Sequence, residues 1–539
     1  MTVTEHQAAA TDTGTDAPAA PPPNPAGGLA GVIGTTDHKT VGRLYLGFSA
    51  VFLLAALVLS AVVDAEGLDA SGFEILADNT FFQVFTLSRV ALVFLGLLPA
   101  IIGLALYVVP LQVGANSVAF PRAAAASFWG WLLGSGLLVA AYLTNGGPAG
   151  GNADAVRLSL ASMLLVLFSL ALALVCVVTT VATVRANGMT LLQVPVFAWA
   201  MFVAGSVWLL NIAVLVGNVV VVTVDTMNEA VLYGVPTVVW PQLEWFFGQP
   251  ATLSLVVPTL GITADVVATM TGRRIGRYPV LLGTLGAVAA LGFGGWAQTV
   301  FNPEVATEAA FVVLSVAALL PALGFAGGLA DTLRRGRPRL AAATGLALVG
   351  LLGGLATAAA GAVYALPFLN LAGTTWHTGV AKLAVGTAVV GIAAGQFYWG
   401  GKIWGRTVVD AAGKLLVPVL LVGTALYGGA DLLAGALGQV PVGADGLFAA
   451  TADGAELLAG LSAAGAAVLA LGVVLIVLAV LPAAVGGGRP ADADPYDGHT
   501  LEWATSSPPA WDNFPTPIAT VGSPEPLTDL REAATAGGQ

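Results

Sequence analysis

Long apolar runs separated by short polar loops dominate this chain from about residue 44 to residue 485. Runs of roughly 20 apolar residues, enough to cross a hydrocarbon core of about 30 Å, begin near Leu44, Phe82, Ala125, Leu158, Val196, Val238, Tyr278, Ala309, Leu340, Leu371, Leu415 and Glu456. The pattern predicts twelve membrane helices and an all-α integral membrane protein. In lipid every backbone polar group must be satisfied within its own segment, so such runs form helices.

The polar positions between the runs orient them. Basic residues fall in alternate loops: Lys39 and Arg43, then Arg122, Arg185, the group Arg273, Arg274 and Arg277, the group Arg334, Arg335, Arg337 and Arg339, and Lys402, Arg406 and Lys414. The intervening loops carry Asp64, Glu66, Asp69, Asp225, Glu229, Glu304 and Asp445, with Arg157 as the basic exception. By the positive-inside rule both termini are expected in the cytoplasm of a multi-pass cell-membrane protein. A reporter fused after Gln539 is therefore predicted to be active only on the cytoplasmic side, and activity confined to the outer face would overturn this topology.

Composition agrees with the pattern. The chain is 57% hydrophobic and 9% charged, with a mean hydropathy of +0.88, which no water-soluble domain can tolerate. Its formal net charge of −11, without a basic patch beyond the loop arginines, argues against a nucleic-acid partner and leaves membrane lipid as the expected environment. Residues 1–34, rich in Ala, Pro, Thr and Gly, are expected to be a disordered arm. Residues 35–485 form the twelve-helix membrane domain, and residues 486–539 read as a Pro-rich cytoplasmic tail. Cys176 is the single cysteine, reads as a small buried hydrophobe, and allows neither an internal disulfide nor a thiolate metal cluster. The Gly350 to Gly354 spacing points to close helix packing.

Several dispersed segments resemble one family. Thr35-Thr36-Asp37-His38-Lys39-Thr40-Val41-Gly42-Arg43-Leu44-Tyr45 is similar to the start of the first helix in subunit I of the heme-copper oxidases. Tyr107-Val108-Val109-Pro110-Leu111-Gln112 with Ala119-Phe120-Pro121-Arg122 resembles the segment after its second helix. Trp245-Phe246-Phe247-Gly248, Phe397-Tyr398-Trp399, and Leu501-Glu502-Trp503 with Ser506-Ser507-Pro508-Pro509 follow in the family's order. The resemblance implies a twelve-transmembrane-helix heme-copper oxidase subunit I-like bundle, whose members resemble bacterial cytochrome c oxidase subunit I and hold two hemes and copper on six histidines.

Those histidines are missing. The chain has four, and His6, His38 and His499 lie outside the apolar spans, leaving His377. Where the family has the low-spin heme ligand of the second helix, this chain has Ser88; where it has the copper ligand of the sixth, Gln249. The His-His pair of the seventh corresponds to Gln298 and Thr299, after Trp296-Ala297. Counting back from Phe397-Tyr398-Trp399, the His-x-His of the tenth helix falls on Gly379 and Ala381. A slip of two residues would put His377 at one ligand position, but no register supplies both. The family's relay groups are replaced as well: Ser117 stands for its Asp, Ala251 for its Glu, Leu253 for its Tyr and Phe325 for its Lys. Asp64 stands where an Arg supports the low-spin heme, and Pro441 and Val442 where paired Arg hold propionates.

Heme iron requires imidazole, thioether, thiolate or phenolate, and copper requires imidazole or soft sulfur. The resemblance with these substitutions implies a heme-free, copper-free pseudoenzyme with no catalytic or metal residues. His377 is expected to hydrogen-bond neighbouring backbone near its helix start. Three charges appear where the family is apolar, small or aromatic: Arg89, Glu244 and Lys382, each about 10 to 16 Å deep on a ligand-bearing helix. They are expected to face the bundle interior as a polar cluster in which Glu244 pairs with a cation, the alternative being snorkelling or solitary pairing with backbone. Asp265 either joins them or faces the opposite end. Three roles remain open: a structural or assembly subunit beside a subunit II-like or III-like partner, a transporter or ion pathway built on these charges, or an oxidase with an unusual ligand set.

Overall fold

The computed structural model describes residues 28–68, 76, 78–148, 150–228, 239–248, 250–294, 308–441 and 450–537. Gln249, Trp296, Ala297, Gln298, Thr299 and Val442, with His6, lie outside these residues. A first unit ends at Thr35 and contains a short helix, Leu29–Ile33; a second runs from Thr36 to Gln539.

The second unit is a bundle of apolar helices. We label them α1 (His38–Ala65), α2 (Thr80–Gln112), α3 (Pro121–Leu143), α4 (Ala153–Thr183), α5 (Val196–Met227), α6 (Pro241–Gly248 and Pro250–Thr271), α7 (Tyr278–Gly294), α8 (Ala309–Arg335), α9 (Ala342–Tyr364), α10 (Trp376–Tyr398), α11 (Asp410–Ala436) and α12 (Ala455–Ala484). Eleven are long and apolar enough to cross a bilayer, and α7 is a shorter apolar helix. All twelve expected spans are thus helical in the described residues.

Burial separates the helices into two classes. The most apolar stretches of α2, α6 and α10 are 100%, 94% and 94% buried inside the bundle, whereas those of the other spans are 22% to 56% buried. Three of the four helices that carry the family's ligand positions are therefore the most deeply buried, the seventh being the shorter helix α7. Small residues set the closest approaches. On Gly42 of α1 a Cβ would lie 2.7 Å from the carbonyl oxygen of Gly103 on α2, and one on Gly103 would lie 2.8 Å from that of Gly42. Gly350 and Gly354 seat α9 on α6 against Thr259, Val256 and Leu260, the packing role their spacing suggested. Cys176 is buried, with its thiol 3.7 Å from the Phe120 carbonyl.

Within α2, Ala91–Leu97 winds as a π-helix that begins two residues after Arg89. The wider turn frees backbone acceptors, and the Phe94 carbonyl accepts from the Trp131 indole at 3.0 Å.

The folded unit does not stop at residue 485. Leu501, Trp503 and Val521 belong to the main apolar core, and Glu502 is completely buried. Ion pairs fasten the segment to the loops that carry the arginines. Arg274 meets Asp529 at 2.6 Å and Glu532 at 2.9 Å, and Arg339 meets Asp497 at 2.8 Å. The start of α1 takes part: Lys39 Nζ donates to the Trp511 carbonyl at 2.9 Å and to Asn513 Oδ1 at 3.1 Å, and His38 Nδ1 lies 2.7 Å from the Leu106 carbonyl oxygen. A Pro-rich, polar composition concealed this docking because the anchoring side chains follow no helical or strand period.

Backbone contact at Gly42 leaves no space for a methyl group, whereas nothing lies within 4 Å of a Cβ placed on Gly47, one turn along the same helix. Gly42→Ala is predicted to lower stability by about 1–3 kcal/mol, the usual cost of overpacking. Gly47→Ala should be neutral or slightly stabilising. Thermal unfolding of the two purified variants side by side checks this.

Candidate functional site

The three unusual charges of the second, sixth and tenth spans come together. Arg89 on α2, Glu244 on α6 and Lys382 on α10 line one cavity of about 70 Å³, with Asp64, Glu66, Thr375, Thr378 and Asp431 on its other walls. A cavity of that size holds several waters, and its polar lining supplies their hydrogen bonds.

Lys382 is the centre of the arrangement. Its ammonium lies 2.7 Å from Asp64 Oδ2 on α1 and 2.6 Å from Asp431 Oδ2 on α11, and donates to Ser462 Oγ on α12 at 2.8 Å. Ser462 in turn donates to Asp64 Oδ2 at 3.0 Å, and the Tyr427 ring sits 4.9 Å from Nζ. One cation therefore ties four helices together. This corrects the expected pairing: among the described residues Glu244 forms no salt bridge with either cation, and Lys382 is taken by two other carboxylates. Arg89 instead lies over the Phe85 ring at 4.9 Å. Glu244 and Arg89 face the same cavity, and among the described residues neither forms a salt bridge.

Asp64 carried a signal in the sequence, an acid where the resemblance expects the heme-supporting Arg. Asp431 was missed, although a lone carboxylate in the apolar run of α11 asks for a partner. Asp265 belongs elsewhere: it accepts from the backbone N–H of Val196 at 3.1 Å and Phe197 at 3.2 Å, capping α5 at the end that bears the arginine loops.

The described positions that align with cofactor ligands have other contacts. Ser88 Oγ donates to the Phe85 carbonyl at 2.8 Å. Ala381 borders a second cavity, about 30 Å³, which shares Arg89 and Lys382 with the first and reaches Thr252. Gly379 lies against α11, where a Cβ would be 2.7 Å from the Leu432 nitrogen and 2.9 Å from the Gly428 carbonyl oxygen. A third cavity of about 30 Å³ is lined by Thr252, Leu253, Gly292, Ser315 and Thr357, among others. His377 does engage backbone as expected, with Nδ1 2.8 Å from the Thr374 carbonyl oxygen. Phe325 is fully buried.

Removing the central ammonium leaves two carboxylates facing each other in a largely buried site. Lys382→Met is predicted to destabilise by about 3–5 kcal/mol, as for other broken buried pairs. Glu244→Gln, which breaks no salt bridge, should change stability by less than about 1 kcal/mol. Denaturation of both variants in detergent distinguishes the pairing seen here from one centred on Glu244, which would reverse the order.

Comparison with known proteins places this architecture. Residues 40–489 match the family "Cytochrome C and Quinol oxidase polypeptide I". A putative cytochrome c oxidase subunit 1-beta of Streptomyces avermitilis is 30% identical over 531 residues, covering 93% of this chain and 92% of that protein. The heme-copper oxidase subunit I+III of Aeropyrum pernix is 30% identical over 508 residues, covering 89% of this chain and 61% of that longer protein. Among solved structures, a heme-copper terminal oxidase dimer superposes with a TM-score of 0.66 at 14% identity, covering 93% of this chain and 90% of that one. With its bundle of membrane helices and a match across almost all of that bundle, the chain belongs to the cytochrome c and quinol oxidase polypeptide I family, the heme-copper oxidase subunit I superfamily.

Proposed function

We propose that this protein is a cofactor-free member of its family that serves as a structural or assembly subunit of a membrane complex, with a subunit II-like or III-like protein as its partner. The observation that carries this reading is the Lys382 centre. It stands on a central helix beside the positions that align with heme ligands, and it pairs with the residue that replaces the family's heme-supporting Arg. The residues present do not fit the family's cofactors. Ser88, Gly379 and Ala381 offer no axial ligand to iron. Gln249, Gln298 and Thr299 replace the copper imidazoles. Ser117, Ala251, Leu253 and Phe325 supply none of the family's proton-relay groups. In this reading the fold is retained for the surfaces it presents in the cell membrane, with both termini cytoplasmic.

A second reading, an ion pathway, draws on one observation. The Asp64–Glu244–Asp431 cavity adjoins the second through Arg89 and Lys382, and the second adjoins the third through Thr252. Water-sized spaces, the first polar and the other two mainly apolar, thus lie in series within the bundle. An oxidase with an unusual ligand set has support only from the names of the relatives.

Purification from native membranes tests the proposal. The expected protein has no Soret absorption and no stoichiometric copper, consumes no oxygen, and carries other membrane subunits with it. One heme per chain that is abolished by His377→Ala, or cyanide-sensitive oxygen uptake by the isolated chain, would overturn the cofactor-free reading. Recovery of the chain alone, with ion flux in proteoliposomes that Lys382→Met abolishes, would favour the ion pathway.

A further inference from the structure

A cavity of about 420 Å³, away from the Lys382 centre, lies between α1 and α12. Residues of α1 between Leu46 and Leu54 and of α12 between Val473 and Ala484 form most of its walls, with contributions from α2 and α10. All lie in the half of the bundle nearer the arginine-bearing loops. The walls are apolar except for Ser49, Gln396 and Trp404. Val51, Leu478 and Leu481 among them are 66%, 58% and 48% exposed, so the cavity is a groove open to lipid.

One end of the groove is polar. Gln396, near the end of α10, is buried and accepts the Trp404 indole N–H at 3.3 Å, and among the described residues its own NH2 group donates to nothing. Beyond that end stand three arginines without a carboxylate. Arg43, one turn before Leu46 on α1, donates through Nε to the carbonyl of Ile403, the neighbour of Trp404, at 2.8 Å, and through Nη2 to the Tyr107 hydroxyl at 3.4 Å. Arg406 follows Trp404 by two residues, and Arg489 follows Ala484, the last residue of α12, by five. Backbone pairing of Arg406 with Pro490, and the Thr407 N–H on the Arg489 carbonyl at 3.0 Å, join these two loops. Among the described residues none of the three arginines forms a salt bridge, whereas Asp37 is taken by Lys39 and Asp410 by Lys414, each at 2.9 Å. Asp492, three residues after Arg489, still leaves the cluster with an excess of positive charge.

We propose that this groove binds an anionic phospholipid of the adjoining leaflet, with one acyl chain between α1 and α12, an ester carbonyl at the Gln396 amide, and the phosphate among Arg43, Arg406 and Arg489. Shape favours a hydrocarbon chain over a partner's helix. From Val473 to Ala484 α12 rises roughly 17 Å, so 420 Å³ is a mean cross-section of about 25 Å², whereas a helix about 10–12 Å across needs ~80–110 Å². Charge favours an acidic headgroup over a zwitterionic one, because basic pockets at the ends of membrane helices recruit acidic headgroups, at about fivefold for each arginine near the surface. Lipid tails are as apolar as the leucines of the groove, so an acyl chain gains little by entering it. The headgroup therefore sets selectivity and the groove sets position. The site is independent of whether the chain carries a cofactor.

Photo-crosslinking of the full-length protein in lipid nanodiscs provides the test, with phosphatidylglycerol or phosphatidylcholine carrying a diazirine on one acyl chain. At equal mole fraction the phosphatidylglycerol reagent should label the groove segments of α1 and α12 at least about 25-fold more than the phosphatidylcholine reagent, the preference expected from two arginines. Unlabelled phosphatidylglycerol should compete that labelling away, and lipid-facing residues elsewhere should react equally with both. Arg406→Gln and Arg489→Gln should each lower the preference about fivefold. Gly47→Phe, at a position where a Cβ meets nothing within 4 Å, should fill the groove and abolish labelling of α12 without lowering the melting temperature. Equal labelling by the two reagents would reveal ordinary surrounding lipid and overturn the proposal. So would a preference unchanged in the double arginine variant, or exclusion of both reagents from the groove by a co-purified membrane subunit. Should a variant fail to accumulate, the two reagents on the unaltered chain still decide.

Discussion

An ammonium group inside a bundle of apolar helices must find negative charge within contact distance, and this requirement organises the central part of the molecule. Two unit charges about 4 Å apart attract by roughly 4 kcal/mol at the effective dielectric of a protein, and an unpaired one costs at least as much to bury. Lys382 meets the requirement twice, through Asp64 and Asp431, with Ser462 closing the ring. Because these partners sit on α1, α11 and α12, one side chain of α10 fixes the rotation of three neighbours. The same ring places a polar wall beside Arg89 and Glu244, so the water-sized cavity there is a consequence of the pairing.

The opposite end is closed by a different device. Arginines of the α6–α7 and α8–α9 loops, placed by topology, are neutralised by acids of the C-terminal segment. Under that ionic layer the segment buries Leu501, Glu502 and Trp503 against Tyr398 and Trp399. The Asp37-His38-Lys39 motif that opens α1 touches the same segment through Trp511 and Asn513, just beyond the C-terminal stretch of family resemblance.

Membership of an oxidase family and the chemistry of an oxidase are separable properties. The bundle persists because backbone contacts such as Gly42 on Gly103, and the complete burial of α2, depend on small and apolar residues. Nothing in those contacts needs a ligand histidine. Fold and site answer to different residues.

The amino-acid sequence by itself determined the class, the spans and the family, because hydropathy over 20 residues and short ordered motifs are local properties. It also placed Ser88, Gly379 and Ala381 where the resemblance implies ligand histidines, and it showed that Lys382 needed a partner. Which partner it took was decided only in three dimensions. Asp64 lies 318 residues from Lys382 in the chain, and its selection over Glu244 depends on the rotation and depth of each helix, which packing sets. The same holds for Asp265, which could belong to either end until α5 presented its first N–H groups, and for Gly379, which packing turned against α11. The segment after residue 485 was least legible. Leu501, Trp503 and Val521 dock as single anchors without periodicity, and a side chain without a repeat leaves no trace in the hydropathy pattern until the surface that receives it has formed.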